Sequence, residues 1–278
     1  VSSVQRLCAP SREVLLACAT AAPREDVEVP ARLRNQLVAR LTVSLGTDRR
    51  RHRLDAFGVE HGPARFDAPF AWSARAARRT IGTGAARLVA AGVASHPHSA
   101  AACEIERLSD RAQRGLARRG ALGTWLAAAP SSVRALCATE AATWAERLLR
   151  LVEPQHADGT AAVGVADAWF EVPGSTVTLQ GRLDAALFGS PGQPAGRLRI
   201  RDGLPGARAI DGLVVDAFVA ALAGERTARI IGAWPDAGLC LVVDVDDEAQ
   251  RHAARLLVSC ADALAASSAV LAPVPVAA

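Results

Sequence analysis

The hydrophobic period of this chain changes between Gln155 and Gly159. Before that point, from Trp72 to Leu151, apolar residues recur at three- and four-residue steps, the spacing of helices with one buried face. Breaks at Gly92 to Pro97, at Arg118-Arg119-Gly120 and at Pro130-Ser131-Ser132 divide this stretch into three or four helices. After it, residues 162–171 and 176–188 alternate or run apolar with β-branched content. Pro173-Gly174-Ser175 separates them, which predicts an antiparallel hairpin. A turn at Gly189-Ser190-Pro191-Gly192-Gln193-Pro194 leads to a third strand at 197–201. A helix at 211–223, strands at 229–234 and 239–245 and a closing helix at 248–266 complete the pattern. The order βββαββα behind a helix-rich half predicts an α/β (α+β) class protein with a mixed sheet. The implied organisation is an N-terminal extension 1–64, a helical region 65–155 that includes the first core helix, a mixed α/β core 156–268 and a tail 269–278.

Within the extension, Pro30 opens a helix over 31–44 whose apolar positions Leu33, Leu37, Val38 and Leu41 share one face. The basic run Asp48-Arg49-Arg50-Arg51-His52-Arg53 reads as a solvated loop. In the last helix before the period change, Val133, Leu136, Cys137, Trp144 and Leu148 form the expected buried stripe. Glu140 falls on it, four residues from both Leu136 and Trp144. A carboxylate on an apolar face needs a partner, and an arginine at the edge of the core is the simplest one.

All 32 cationic side chains are arginine; the chain has no lysine. Guanidinium stays protonated at working pH, which excludes a lysine nucleophile, a Schiff base and a phosphate-loop lysine. With no tyrosine, no methionine and five tryptophans, the core must be Ala, Leu and Val around a few indole anchors. Trp125, Trp144, Trp169 and Trp234, each among apolar neighbours, are the expected anchors. Cys8, Cys18, Cys103, Cys137, Cys240 and Cys260 are scattered, with neither zinc-ligand nor disulfide spacing, and a reducing cytoplasm fits them. The sequence as given opens without a charged, then apolar, leader and carries no run long enough to span a bilayer, so no membrane association is expected.

Divalent-metal phosphodiester hydrolysis needs oxygen ligands converging on Mg²⁺ from separate elements. A helix acid, a strand-end acid and an acid-x-lysine pair on the next strand provide this, since strand alternation puts the last two on one face. Here Glu140 lies on a helix, Asp184 ends a strand in Gly181-Arg182-Leu183-Asp184, and Leu198-Arg199-Ile200-Arg201-Asp202 follows. In this order, and in the Gly-Arg-Leu-Asp motif, the chain resembles the PD-(D/E)XK nuclease superfamily, specifically its RecB-like branch. Gly203-Leu204-Pro205, the helix 213–223 and Arg229-Ile230-Ile231-Gly232-Ala233-Trp234-Pro235 occupy corresponding places. Upstream, Pro69-Phe70-Ala71-Trp72-Ser73, Ile81-Gly82-Thr83-Gly84 and Glu140-Ala141-Ala142-Thr143-Trp144-Ala145 resemble the same branch. The resemblance spans about residues 65–265 and implies a restriction-endonuclease-like core.

The departures set the functional expectation. Where the resemblance implies Asp-x-Lys, one register offers Leu198 and Ile200 and the other Arg199 and Arg201. Asp202 is out of phase with those arginines and would need a bulge to join them. An upstream histidine found in relatives is replaced by Ala85 or Ala86. The resemblance therefore implies a catalytically degenerate domain in which Glu140 and Asp184 are vestigial acids. Arg182, Arg199 or Arg201 takes the charge position of the metal, with no cofactor. The expected partners are DNA, through phosphate contacts, or a protein of a repair or recombination assembly. The alternatives are a Mg²⁺- or Mn²⁺-dependent deoxyribonuclease using Asp184, Glu140 and Asp202, and a protein-interaction scaffold. Arginines at 49–53, 75–79, 111–119 and 197–201 are the candidate phosphate contacts.

Other motifs point to structure. Gly82-Thr83-Gly84 lacks a third glycine at dinucleotide spacing and reads as helix packing. His96-Pro97-His98 has no acid or cysteine at ligand spacing. Asp244-Val245-Asp246-Asp247-Glu248 reads as a helix N-cap with acids in the first turn.

Overall fold

The computed structural model describes residues 4–8, 15, 17, 28–45, 52–62, 72–116, 121–151, 161–163, 167–190, 193–225 and 228–270. The chain starts with β1 (Val4–Cys8), α1 (Ala31–Leu45), β2 (His52–Asp55) and α2 (Ala56–His61). Four helices follow: α3 (Ala74–Ala90), α4 (Pro97–Gln113), α5 (Leu122–Ala128) and α6 (Ser131–Leu151). The second half holds β3 (Ala161–Val163), β4 (Ala168–Glu171), β5 (Val177–Gly181), β6 (Ala185–Ser190), β7 (Gln193–Ile200), α7 (Ala209–Leu222), β8 (Arg229–Trp234), β9 (Leu239–Asp244) and α8 (Asp247–Val270). Among the described residues no helix is long and apolar enough to cross a membrane.

The strands form two mixed sheets, one of six strands in the order β1-β9-β8-β7-β6-β3 and one of three in the order β2-β5-β4. In the larger sheet β7 and β8 are parallel, with α7 as the crossover, and the other pairs are antiparallel. Strand alternation sorts its side chains into two cores. Ile231, Ala233, Cys240 and Val242 pack with α3, α4, α5 and α6 on one face, while Ile230, Trp234, Leu241 and Val243 pack with α7 and α8 on the other. Burial on both faces is why β8 and β9 read as unbroken apolar runs.

The expected hairpin exists but belongs to both sheets. Its tip, β4 against β5, lies in the three-stranded sheet, and its base, β3 against β6, lies in the six-stranded one. The pattern βββαββα is thereby corrected: in the second half of the chain five described strands, β3 to β7, precede α7, because residues 162–171 and 176–188 each divide in two. Gly181 marks the break. A Cβ there would lie 2.6 Å from the carbonyl oxygen of Asp216 on α7, so only glycine lets β5 end against that helix. The chain then crosses through Arg182, Leu183 and Asp184, and Asp184 N–H re-enters the larger sheet by donating to Leu198 O at 2.8 Å.

The N-terminal segments are integral to the sheets. β1 pairs with β9, β2 runs parallel to β5, and α1 packs on α8. The helix expected at 31–44 is α1, opened by Pro30, whose carbonyl accepts from Arg34 N–H. Of the basic run read as a loop, His52 and Arg53 instead begin β2, and residues 48–51 lie outside the described residues.

Local signals account for the helix starts near the site. Ser73 caps α3 by accepting from Ala76 N–H, Asp55 caps α2 through Gly58 N–H, and Asp246 caps α8 through Ala249 N–H. Gly82 serves helix packing: a Cβ there would stand 2.7 Å from the Ala141 carbonyl, so its absence lets α3 close on α6.

The buried stripe of α6 is rotated from the expected one. It runs through Cys137, Ala138, Ala141, Trp144, Ala145 and Leu148, while Leu136 is 54% exposed and Glu140 only half-buried. The small alanines face α3 because Gly82 brings that helix close, a preference that residue size rather than hydropathy determines. Trp169 is likewise no anchor: it alternates outward from β4 and is 50% exposed.

Candidate functional site

The crossing between the sheets buries a carboxylate. Asp184 is fully buried; its Oδ1 accepts from Arg79 Nε at 2.5 Å, and its Oδ2 accepts from Ile200 N–H at 2.8 Å and from Arg199 Nη1 at 3.2 Å. Burial alone would push this carboxyl up, but the Arg79 and Arg199 guanidiniums and their hydrogen bonds hold it below its ordinary value. Arg79 also donates through Nη2 to Asp167 Oδ1 at 2.8 Å and to Leu183 O at 2.9 Å. Asp167 sits where the other hairpin arm enters β4 and also accepts from Gln180 Nε2. Against the cost of burial, Asp184 and Asp167 raise the Arg79 pKa further.

Arg199 extends the network to α7. Its Nε lies 3.3 Å from Asp216 Oδ2, and Asp216 Oδ1 accepts from Arg182 N–H at 2.8 Å. Burial pushes the Asp216 carboxyl up to about 6, although Arg199 opposes it. The alternation of β7 turns Leu198 and Ile200 into the core beside α6, and Arg197 and Arg199 toward α7.

In front of this network lies a cavity of about 260 Å³. Arg75, Arg78 and Arg79 enter from one face of α3, Arg182 from the crossing between sheets, and Arg199 and Arg201 from the end of β7; Asp202 is the only acid in its wall among the described residues. Trp144 and Phe57 also line it. Most of the acids that compensate these arginines stand behind them. Arg201 pairs with Glu60, Arg182 with Asp55 at 3.4 Å, and Arg78 with Asp202. Arg147 holds the other oxygen of Asp202 at 2.8 Å and Asp236 at 2.8 Å. Arg75 is exposed and has no acid partner among the described residues. Burial, and then the charge of Arg75, lower the Arg78 pKa. Burial also lowers that of Arg182, with Asp55 opposing the fall and Arg199, Arg79 and Arg53 adding to it. In both, burial is the leading cause and the neighbouring guanidiniums add to it.

Arg182, Arg199, Arg201 and Asp202, selected from the sequence, therefore share one cavity wall, with Asp184 buried behind it. Asp202 needs no bulge to arrive there, because β7 ends at Ile200 and alternation no longer constrains it. Glu140 faces a neighbouring cavity of about 320 Å³ with Arg75, Arg78, Arg147 and Asp202. No described hydrogen bond or ion pair joins it to Asp184 or to an arginine. The expected pairing of both acids with Arg182, Arg199 or Arg201 is thus met only by Arg199 with Asp184. Two of the four basic clusters, 75–79 and 197–201, meet at the cavity; residues 49–51 and 117–119 lie outside the described residues.

Sequence reasoning missed Asp167, Asp216 and Glu60, and did not separate Arg79 from its cluster. For Asp216 a signal existed: a lone acid inside the apolar helix 211–223 raises the same question as Glu140.

No family model matches the chain, and neither a curated protein nor a solved structure matches it significantly.

Proposed function

We propose that this is a catalytically inactive, nuclease-like domain of the PD-(D/E)XK, RecB-like type that holds nucleic acid through its phosphates. The connectivity is in keeping with that reading: helix α6, the antiparallel strands β3, β6 and β7, a crossover helix and a parallel strand β8. The observation that carries the proposal is the occupancy of Asp184. In a nuclease of this type its carboxylate would hold Mg²⁺ or Mn²⁺, a hard cation seeking several oxygen ligands. Here Arg79, Arg199 and the Ile200 amide already bond both of its oxygens. Among the described residues no group of three or more His, Cys, Asp or Glu is arranged to hold an ion. The residues present do not fit the metal.

What the arrangement favours is an anion. Guanidinium forks match phosphate oxygens, and a layer of arginines backed by buried acids keeps its geometry when the ligand leaves. Fluorescence anisotropy with labelled single- and double-stranded DNA at several salt concentrations tests this. The expected result is binding that weakens steeply with salt and no cleavage in Mg²⁺ or Mn²⁺. Cleavage abolished by Asp184→Ala would replace the inactive reading with a working nuclease. Absence of binding at low salt would leave a protein-interaction scaffold as the better account.

A further inference from the structure

We infer that the arginine-lined cavity takes the terminal phosphate of a nucleotide, a phosphate monoester dianion, with the attached base resting on Phe57. The inference deepens the nucleic-acid reading and rests on it for the nucleoside that the phosphate carries.

Size is the first argument. At about 260 Å³ the cavity lies below the range of drug-sized pockets. A double helix, whose major groove alone is about 12 Å wide, cannot enter it. A phosphate group on one nucleoside can.

Charge is the second. Among the described residues six arginines and a single acid line the wall. Among the described residues the Arg79 side chain donates three hydrogen bonds to protein acceptors, those of Arg78, Arg182, Arg199 and Arg201 donate one each, and that of Arg75 none. A diester inside a strand carries one negative charge, whereas a monoester carries about −1.5 to −2 at neutral pH and three acceptor oxygens. The donors come from α3, from the crossing before β6 and from the end of β7. Oxygens pointing in different directions, as at a chain end, suit such a three-sided arrangement better than the two free oxygens of a diester.

The rim supplies the third argument. Phe57 is 53% exposed, lines the cavity and stacks on His61 with ring centroids 4.4 Å apart. A large aromatic face held flat beside a cationic pocket is the arrangement that stacks an unpaired base. Its position on α2 is fixed by the Asp55 cap, and Asp55 also pairs with Arg182. The stacking surface and the phosphate donors are therefore joined through one carboxylate.

The test measures binding of the full chain to a labelled single-stranded oligonucleotide with and without a terminal phosphate, and competition by AMP, adenosine and inorganic phosphate. A terminal phosphate is expected to tighten binding roughly tenfold, and AMP to compete where adenosine does not. Arg75→Gln, at an exposed site, should remove most of that preference without affecting folding. Phe57→Ala should bring AMP down to the level of inorganic phosphate. Equal binding of both oligonucleotides overturns the inference while leaving the nucleic-acid reading intact. Binding of AMP without binding of any oligonucleotide supports the monoester site and removes nucleic acid as its source. Failure of every ligand removes both.

Discussion

Arg79 places its Nε 2.5 Å from Asp184 Oδ1, closing from α3 the point at which the long hairpin passes from one sheet to the other. Because its Nη2 also holds Asp167, one guanidinium ties both crossing arms, at residues 105 and 88 positions away in the chain. On the arm between Gly181 and Ala185 these ion pairs act beside the Asp184 N–H bond to Leu198 O as constraints on the crossing.

The first prediction follows from the burial of Asp184. Arg79→Ala would leave that carboxylate with Arg199 and one amide, and should destabilise the fold by about 3 kcal/mol, as loss of one partner of a buried pair does. Urea unfolding of the variant measures this. Asp184→Asn should cost less, since it removes the charge that needs compensating. A loss under about 0.5 kcal/mol for Arg79→Ala would mean that the pair is solvated and the constraint lies elsewhere.

Gly82→Ala should also destabilise, although alanine is the better helix former by about 1 kcal/mol. The added methyl would approach the Ala141 carbonyl to 2.7 Å and Trp144 Cδ1 to 2.7 Å, and the carbonyl belongs to a helix that cannot move alone. Overpacking of this kind costs about 1–3 kcal/mol, and denaturant unfolding should show a lower midpoint with an unchanged slope.

The change of period near residue 156, the helices and the later strands were legible in the sequence because each follows from local hydrophobic spacing. The division of the hairpin was not, since β-like content continues on both sides of Gly181 and only the approach of α7 shows why that glycine is needed. The rotation of α6 escaped for a related reason: Ala141 and Ala145 carry little hydropathy yet sit deepest, where Gly82 admits a close crossing. Of the site, the arginines at the end of β7 and the acid before β6 were legible from their motif. Their partners Asp167, Asp216 and Glu60 were not, because ion pairs between distant elements leave no period in a sequence.

Asp216 gives the protein a specific pH response. Its carboxyl is pushed up to about 6 in the fold and titrates near 4 when unfolded. Between those values the folded state holds a proton that the unfolded state has released. This group's contribution to stability is therefore present below about pH 4 and declines as pH rises through about 6, by up to about 3 kcal/mol. Asp184 acts in the opposite sense: held below its ordinary value, it contributes stability above about pH 4 that is lost as pH falls through its folded value. Melting temperatures from pH 4 to 8 should show wild type losing stability relative to Asp216→Asn as pH rises. Parallel curves would mean that Asp216 is ionised throughout.

Divalent metal provides the last prediction, because it separates a site that has exchanged its cation from one that still uses it. In the wild type, millimolar Mn²⁺ should leave the melting temperature unchanged, since a metal would have to displace Arg79 or Arg199 from a buried carboxylate. In Arg79→Ala, Asp184 Oδ1, Asp167 Oδ1 and the Leu183 carbonyl lose their shared donor together. Three hard oxygens around a vacated positive charge are a weak site for Mn²⁺, and an ion that binds the folded state alone must stabilise it. The variant's melting temperature should then rise by about 2 °C with Mn²⁺, and EDTA should reverse the gain. The added mutation Asp184→Asn should abolish the response, which would locate the ion. A wild type stabilised by Mn²⁺, with the effect lost in Asp184→Asn, would instead mean that the guanidinium yields to metal in solution and that the nuclease chemistry is intact.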